Sequence, residues 1–119
     1  MIEQKYNLIM LYDFYAKLLT DNQRNALDMY LNYDMSLREI AERLDNSRQA
    51  VYDSIKRSEK KLKTYEKKLK LVKKFNDIKE KTHKFEEIIK VIQKNNSCKK
   101  VDTEINKLED IVKQIIDKY

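Results

Sequence analysis

Apolar residues recur along this chain at steps of three and four, the spacing that gathers them on one face of an α-helix. Leu8, Leu11, Tyr12, Tyr15, Leu18 and Leu19 mark a first amphipathic helix over roughly residues 2–19. Thr20 stops and restarts the chain, because its hydroxyl can accept from the free amides of the following turn, and Ala26, Leu27, Tyr30 and Leu31 form a second stripe ending near Asn32. Ser36 followed by Glu39 has the capping-box spacing and opens a short helix with Leu37, Ile40, Ala41 and Leu44 inward. The polar trio Asp45, Asn46 and Ser47 then predicts a turn, with Ser47 capping a fourth helix that starts at Arg48.

Two capped helices flanking a three-residue turn have the layout of a helix-turn-helix, here over residues 36–62. In such a pair the second helix enters a nucleic-acid groove with its first residues while the preceding helix braces it. Val51, Ile55, Ser58 and Leu62 share one face and are predicted to pack on Ile40 and Leu44. That leaves Arg48, Gln49, Tyr52, Lys56, Arg57 and Lys60 outward. Arginine can grip guanine or phosphate through two parallel hydrogen bonds, glutamine can pair with adenine, and lysines act as phosphate-directed point charges. Asp53 and Glu59 work against this.

Beyond Leu62 the stripe continues through Tyr65, Leu69, Val72, Phe75, Ile78, Thr82, Phe85, Ile89 and Ile92, consistent with one long helix. Two successive three-residue steps at Val72, Phe75 and Ile78 shift the stripe, which places a kink or restart near 76. The polar run from Lys94 to Lys100 predicts a turn between antiparallel helices. Val101, Ile105, Leu108, Val112, Ile115 and Tyr119 then form a heptad-like seam that needs a partner helix. A hairpin alone would leave Ile88, Ile111 and Ile116 partly uncovered, so a homodimer is expected. The fold class is therefore all-α: a helix-turn-helix unit over 1–74, followed by a C-terminal extension over 75–119 that packs on it or forms a dimer interface.

Composition narrows this picture. The 119 residues include no glycine and no proline, the residues on which tight hairpins, left-handed helix caps and phosphate-cradling loops most depend. One cysteine, Cys98, and one histidine, His83, cannot assemble a four-ligand zinc site from nitrogen and sulfur. No nucleophile, base and orienting partner stand out, so neither catalysis nor a cofactor is expected. The longest apolar stretch is far short of a membrane span and no leader pattern follows Met1, which points to the cytoplasm. The net charge of +6 is uneven: residues 1–46 hold 5 basic and 8 acidic side chains, residues 47–74 hold 11 and 3, and residues 75–119 hold 10 and 9. The whole excess lies in the middle, on the helix that would face phosphate.

The runs Leu19-Thr20-Asp21-Asn22-Gln23-Arg24, Ser36-Leu37-Arg38-Glu39-Ile40-Ala41-Glu42 and Ser47-Arg48-Gln49-Ala50-Val51, with Ile55-Lys56-Arg57, closely resemble the YlxM family of small bacterial helix-turn-helix proteins. The resemblance covers roughly residues 5–75. The same stretch is similar to region 4 of bacterial sigma factors, whose equivalent helices read promoter DNA. The sigma resemblance implies base-reading positions at Arg48, Gln49 and Tyr52, where Tyr52 and Asp53 depart from a basic pattern. The YlxM resemblance implies a regulatory role in the signal recognition particle pathway, inferred for the family from its genes lying beside those for the particle's GTPase and receptor. The expected partner is nucleic acid, either duplex DNA or signal recognition particle RNA, held by Arg48, Gln49, Tyr52, Lys56, Arg57 and Lys60, with Arg38 and Ser47 on backbone phosphate. The alternative is a protein-interaction module that keeps the fold and holds a protein of the targeting machinery.

Overall fold

A computed structural model describes residues 2–118. The described residues form helices and turns: α1 (Ile2–Tyr15), a 3-10 turn (Ala16–Leu18), α2 (Asp21–Leu31), α3 (Leu37–Leu44), α4 (Arg48–Leu69), α5 (Leu71–Asn95) and α6 (Lys99–Lys118). The architecture is all-α, as the spacing predicts. The chain divides into two units, one ending at Val72 and one beginning at Lys73.

In the first unit α1 to α4 close around Leu8, Tyr15, Leu19, Leu27, Ile40, Val51, Ile55 and Leu62, with Leu27, Ile40 and Leu62 sealed from solvent. Leu18, expected on the inward stripe, is 51% exposed, while Leu19, expected there too, is buried. The cause is the tightening of the chain into a 3-10 turn after Tyr15, which advances each residue by about 120° instead of 100° and rotates the stripe. Thr20 caps α2 as expected and does so reciprocally. Its hydroxyl accepts from the Gln23 amide at 3.3 Å, and the Gln23 side chain accepts from the Thr20 amide at 3.3 Å.

The kink expected near 76 is absent; α5 runs unbroken from Leu71 to Asn95. The chain breaks instead at Lys70, which takes a left-handed conformation with φ 55°. Tertiary hydrogen bonds hold this break. The Tyr15 hydroxyl donates to Glu66 Oε1 at 2.6 Å and accepts from the Leu71 amide at 3.1 Å, and Glu66 Oε1 also accepts from the Val72 amide at 3.0 Å. Two of the free N–H groups that open α5 are thereby satisfied by side chains from α1 and α4. The lack of glycine does not prevent left-handed residues either: Asp34, Asp45 and Lys70 fill those positions.

In the second unit α5 and α6 form a hairpin around Ile89, Ile105 and Val112, with Thr82 also buried. The turn between them is shorter than the polar run, residues 96–98. The Asn96 amide group donates to the Cys98 carbonyl at 3.1 Å and to Asp102 Oδ1 at 3.0 Å, while the Cys98 amide donates back to Asn96 Oδ1 at 3.2 Å. Of the seam on α6, Ile105 and Val112 are buried while Val101, Leu108 and Ile115 stay exposed; Tyr119 lies outside the described residues.

Candidate nucleic-acid interface

The site is built from α3, the turn after it and the first half of α4. Ser36 and Glu39 form the expected capping box: the Glu39 amide donates to Ser36 Oγ at 3.1 Å and the Ser36 amide to Glu39 Oε1 at 3.4 Å. At the other end of α3, Asp45 turns left-handed with φ 52°. The Asn46 amide then reaches back to the Ala41 carbonyl at 2.9 Å and the Asp45 amide to Glu42 at 3.4 Å. This pair of bonds is the Schellman arrangement with aspartate in the position glycine usually takes, and it reverses the chain within three residues. Ser47 Oγ accepts from the Ala50 amide at 3.0 Å and starts α4.

The register of α4 follows from burial. Val51, Ile55, Ser58 and Leu62 are buried against the core that contains Ile40. Ser58 is tolerated there because its hydroxyl donates to the Ser54 carbonyl at 2.7 Å. A helix pinned along that stripe must turn its opposite side to solvent, and Arg48, Gln49, Tyr52, Lys56, Arg57 and Lys60 are all exposed. So are Arg38 on α3 and Ser47 in the turn.

These side chains are not equally available. Gln49 Nε2 donates to Asp53 Oδ1 at 3.0 Å, and the Arg57 Nε donates to the Asp53 carbonyl at 3.4 Å. Lys56 lies 3.6 Å from Glu59 and 5.7 Å from the Tyr52 ring centroid. Arg38 pairs with Glu42 at 3.5 Å, one turn along α3. Each is a surface contact that solvent weakens to a fraction of a kcal/mol, about 0.2–1, so a phosphate can displace it. Among the described residues, Arg48 and Lys60 have no charged side chain within ion-pair distance.

Two further lysines join the outward face. Lys56, Lys60, Lys63 and Lys67 step by 4, 3 and 4, which keeps them in one row along α4, and all four border a shallow open groove with Glu59 and Thr64. At 1.5 Å per residue the row is about 16 Å long. Lys63 follows Lys56 and Lys67 follows Lys60 by seven residues, so with the stripe continuing through Tyr65 and Leu69 both were within reach of the sequence, yet the site expected from it stopped at Lys60. Glu59 interrupts the row's edge, held by Lys56 and by Lys63 at 3.2 Å.

Elsewhere, His83 lies 3.2 Å from Glu87 on the surface of α5, and Cys98 is exposed in the turn before α6. Among the described residues no three His, Cys, Asp or Glu side chains cluster as metal ligands. None of their helices is long and apolar enough to cross a membrane.

Residues 2–101 match the protein family described as "Putative helix-turn-helix protein, YlxM / p13 like". The chain belongs to this family. It is 45% identical over 109 residues to a UPF0122 protein of Thermoanaerobacter pseudethanolicus, covering 91% of this chain and 90% of the relative. A UPF0122 protein of Caldanaerobacter subterraneus subsp. tengcongensis is 52% identical over 82 residues, 69% of this chain and 70% of its own. One from Bacillus velezensis is 42% identical over 108 residues, 91% of this chain and 98% of its own. The family match takes in α1 to α5 whole, so the capped helix-turn-helix and the hairpin's first helix lie within it.

Proposed function

We propose that the protein is a non-enzymatic regulator that binds nucleic acid through α4, linked to the signal recognition particle pathway by its resemblance to YlxM. The observation that carries the reading is the exposed face of α4. Its opening residues Arg48, Gln49 and Tyr52 stand where a recognition helix meets base edges, and the row from Lys56 to Lys67 runs on behind them, suited to backbone phosphate. Arg38 and the Ser47 hydroxyl, which keeps its proton free to donate while it caps α4, flank the entry. The segment with 11 basic against 3 acidic residues supplies the attraction, and each phosphate neutralised releases counterions.

A second reading rests on the contacts of Gln49 and Lys56. Asp53 holds Gln49, Glu59 holds Lys56, and a face that pairs its own charges is also suited to an acidic protein of the targeting machinery. Fluorescence anisotropy separates the two readings. Labelled duplex DNA and signal recognition particle RNA are titrated across a salt series with the native chain and with an Arg48, Arg57 and Lys60 triple alanine variant. Binding that falls steeply with salt and is lost in the variant supports the regulator and shows which polymer is preferred. No binding near physiological salt overturns it in favour of the protein-interaction module.

A further inference from the structure

The hairpin of α5 and α6 buries only part of its heptad pattern. Thr82 and Ile89 on α5 and Ile105 and Val112 on α6 are spaced by seven and buried. The neighbouring positions Glu86, Gln93, Asp102 and Glu109 are half-buried. The two helices therefore face each other along these rows. A second set at the same period is left outside: Ile78, Phe85 and Ile92 on α5, and Val101, Leu108 and Ile115 on α6. Ile88 and Ile111 lie next to them, and exposure across this set runs from 37% at Ile78 to 59% at Ile88.

Both outer rows fall on one side of the hairpin. Each is rotated from its own helix's buried row in the same sense, by about 50° at 100° per residue, with Ile88 and Ile111 further round on the same side. Because the helices are antiparallel, equal rotations mirror each other, and the rows point the same way. The groove of about 200 Å³ at the open end of the hairpin agrees, since Ile78 and Ile115 line it together with Phe75 and Ile116. The opposite broad side carries Asn76, His83, Lys90, Asn106, Lys113 and Asp117, polar throughout. The hairpin is a slab with one polar face and one mainly apolar face, in which Lys81 and Glu104 also fall.

We propose that the apolar face is covered by the same face of a second copy, closing a four-helix bundle in which each chain supplies α5 and α6. Three features favour a second copy as the occupant. The rows keep a strict seven-residue step through three successive positions on each helix, so the cover must bring helices of the same period, and a second hairpin does so. The six positions of the outer rows carry no charge, so a two-fold axis places no like charges opposite each other there. The apolar surface left on this face is roughly 600–800 Å², close to the ~800 Å² per partner of a standard stable interface and above what monomers usually leave exposed. This inference does not depend on what α4 binds.

Sedimentation equilibrium on the full chain across a wide concentration range tests it. The native chain is expected at twice 14.4 kDa. Leu108→Lys and Ile88→Lys each put a charge into the proposed interface at a position already exposed within the hairpin, so each is expected to sediment as a monomer with unchanged far-ultraviolet circular dichroism. Asn106→Lys, on the polar face, is expected to leave the dimer intact. A native chain that stays at 14.4 kDa overturns the proposal, as does a folded Leu108→Lys or Ile88→Lys chain that remains dimeric. Loss of the dimer in Asn106→Lys equal to that in Leu108→Lys also overturns it, because the polar face would then be the interface.

Discussion

Replacing Tyr15 by Phe tests the device that breaks the long helix. Tyr15 is 1% exposed, and its ring packs 6.0 Å from that of Tyr65, so phenylalanine keeps the shape and removes one oxygen. That oxygen donates to the Glu66 carboxylate at 2.6 Å and accepts from the Leu71 amide at 3.1 Å. A hydrogen bond to a charged group contributes about 1.5–3 kcal/mol, and leaving a partly buried amide without its acceptor costs about 1–3 kcal/mol more unless water reaches it. The two effects overlap through the shared Glu66, so the expected loss is about 2–4 kcal/mol, a large share of the 5–15 kcal/mol typical of a folded protein. In urea monitored at 222 nm this lowers the midpoint by roughly 1–2 M at an ordinary denaturant slope. Hydrogen exchange should quicken at Leu71 and Val72 more than in α3, since the damage is local to the start of α5. A loss below about 0.5 kcal/mol with unchanged exchange at Leu71 would refute the reasoning, because the break at Lys70 would then not depend on Tyr15.

Three other outcomes follow from particular contacts. Burial first, and then the hydrogen bond to Glu66, raise the Tyr15 pKa above its ordinary 10.0. The folded state thus favours the neutral phenol. Its contribution is complete below pH 10 and is lost as pH rises through the raised value, so alkaline unfolding followed by circular dichroism should be steeper in the native chain than in Tyr15→Phe. Lys70→Gly should stabilise the fold by about 0.5–1 kcal/mol in thermal melts, since the left-handed strain of a non-glycine residue outweighs glycine's extra chain entropy; a destabilised variant would show that the Lys70 side chain itself contributes. On the proposed reading, Lys60→Ala and Lys63→Ala should each weaken duplex binding about equally across sequences and flatten the salt slope by roughly 0.9, measured by anisotropy, whereas Arg48→Ala should change sequence preference.

The first unit was nearly legible in the sequence because its signals are local. Thr20, Ser36 and Ser47 cap helices through hydrogen bonds three residues long, and the buried side of α4 follows from spacing alone. The helix break was not legible at its true position for the opposite reason. Lysine is an ordinary helix former, and the hydrogen bonds beside its left-handed turn at residue 70 come from Tyr15, 55 positions away, and from Glu66. What the sequence did carry was the consequence: the phase shift through Val72, Phe75 and Ile78 is the trace of a break a few residues earlier. Exposure of Leu18 escaped notice in the same way, since a 3-10 turn leaves no mark in a three-and-four pattern. The outward placement of Arg48, Gln49, Tyr52, Lys56, Arg57 and Lys60 was readable, but the contacts that hold Gln49 to Asp53 and Lys56 to Glu59 needed the structure.

The two proposed surfaces bear on one another through affinity. A row of four lysines, partly offset by Asp53 and Glu59, is a modest phosphate-binding surface, and contacts of this number are typical of non-specific binding in the range of about 10⁻⁴–10⁻⁶ M. If both proposals hold, two such rows joined through the hairpins would bind the second segment of a long nucleic acid at an effective concentration near the millimolar level, raising overall affinity by roughly 10²–10⁴-fold where both can reach. On those proposals the acidic residues beside the row would have a use: they would keep a single copy weak, so that binding would depend on pairing and on a substrate long enough to engage both copies. A chain with twice the basic charge on α4 would bind alone and lose that dependence. On this reading the apolar face of the second unit sets the affinity of the basic face of the first.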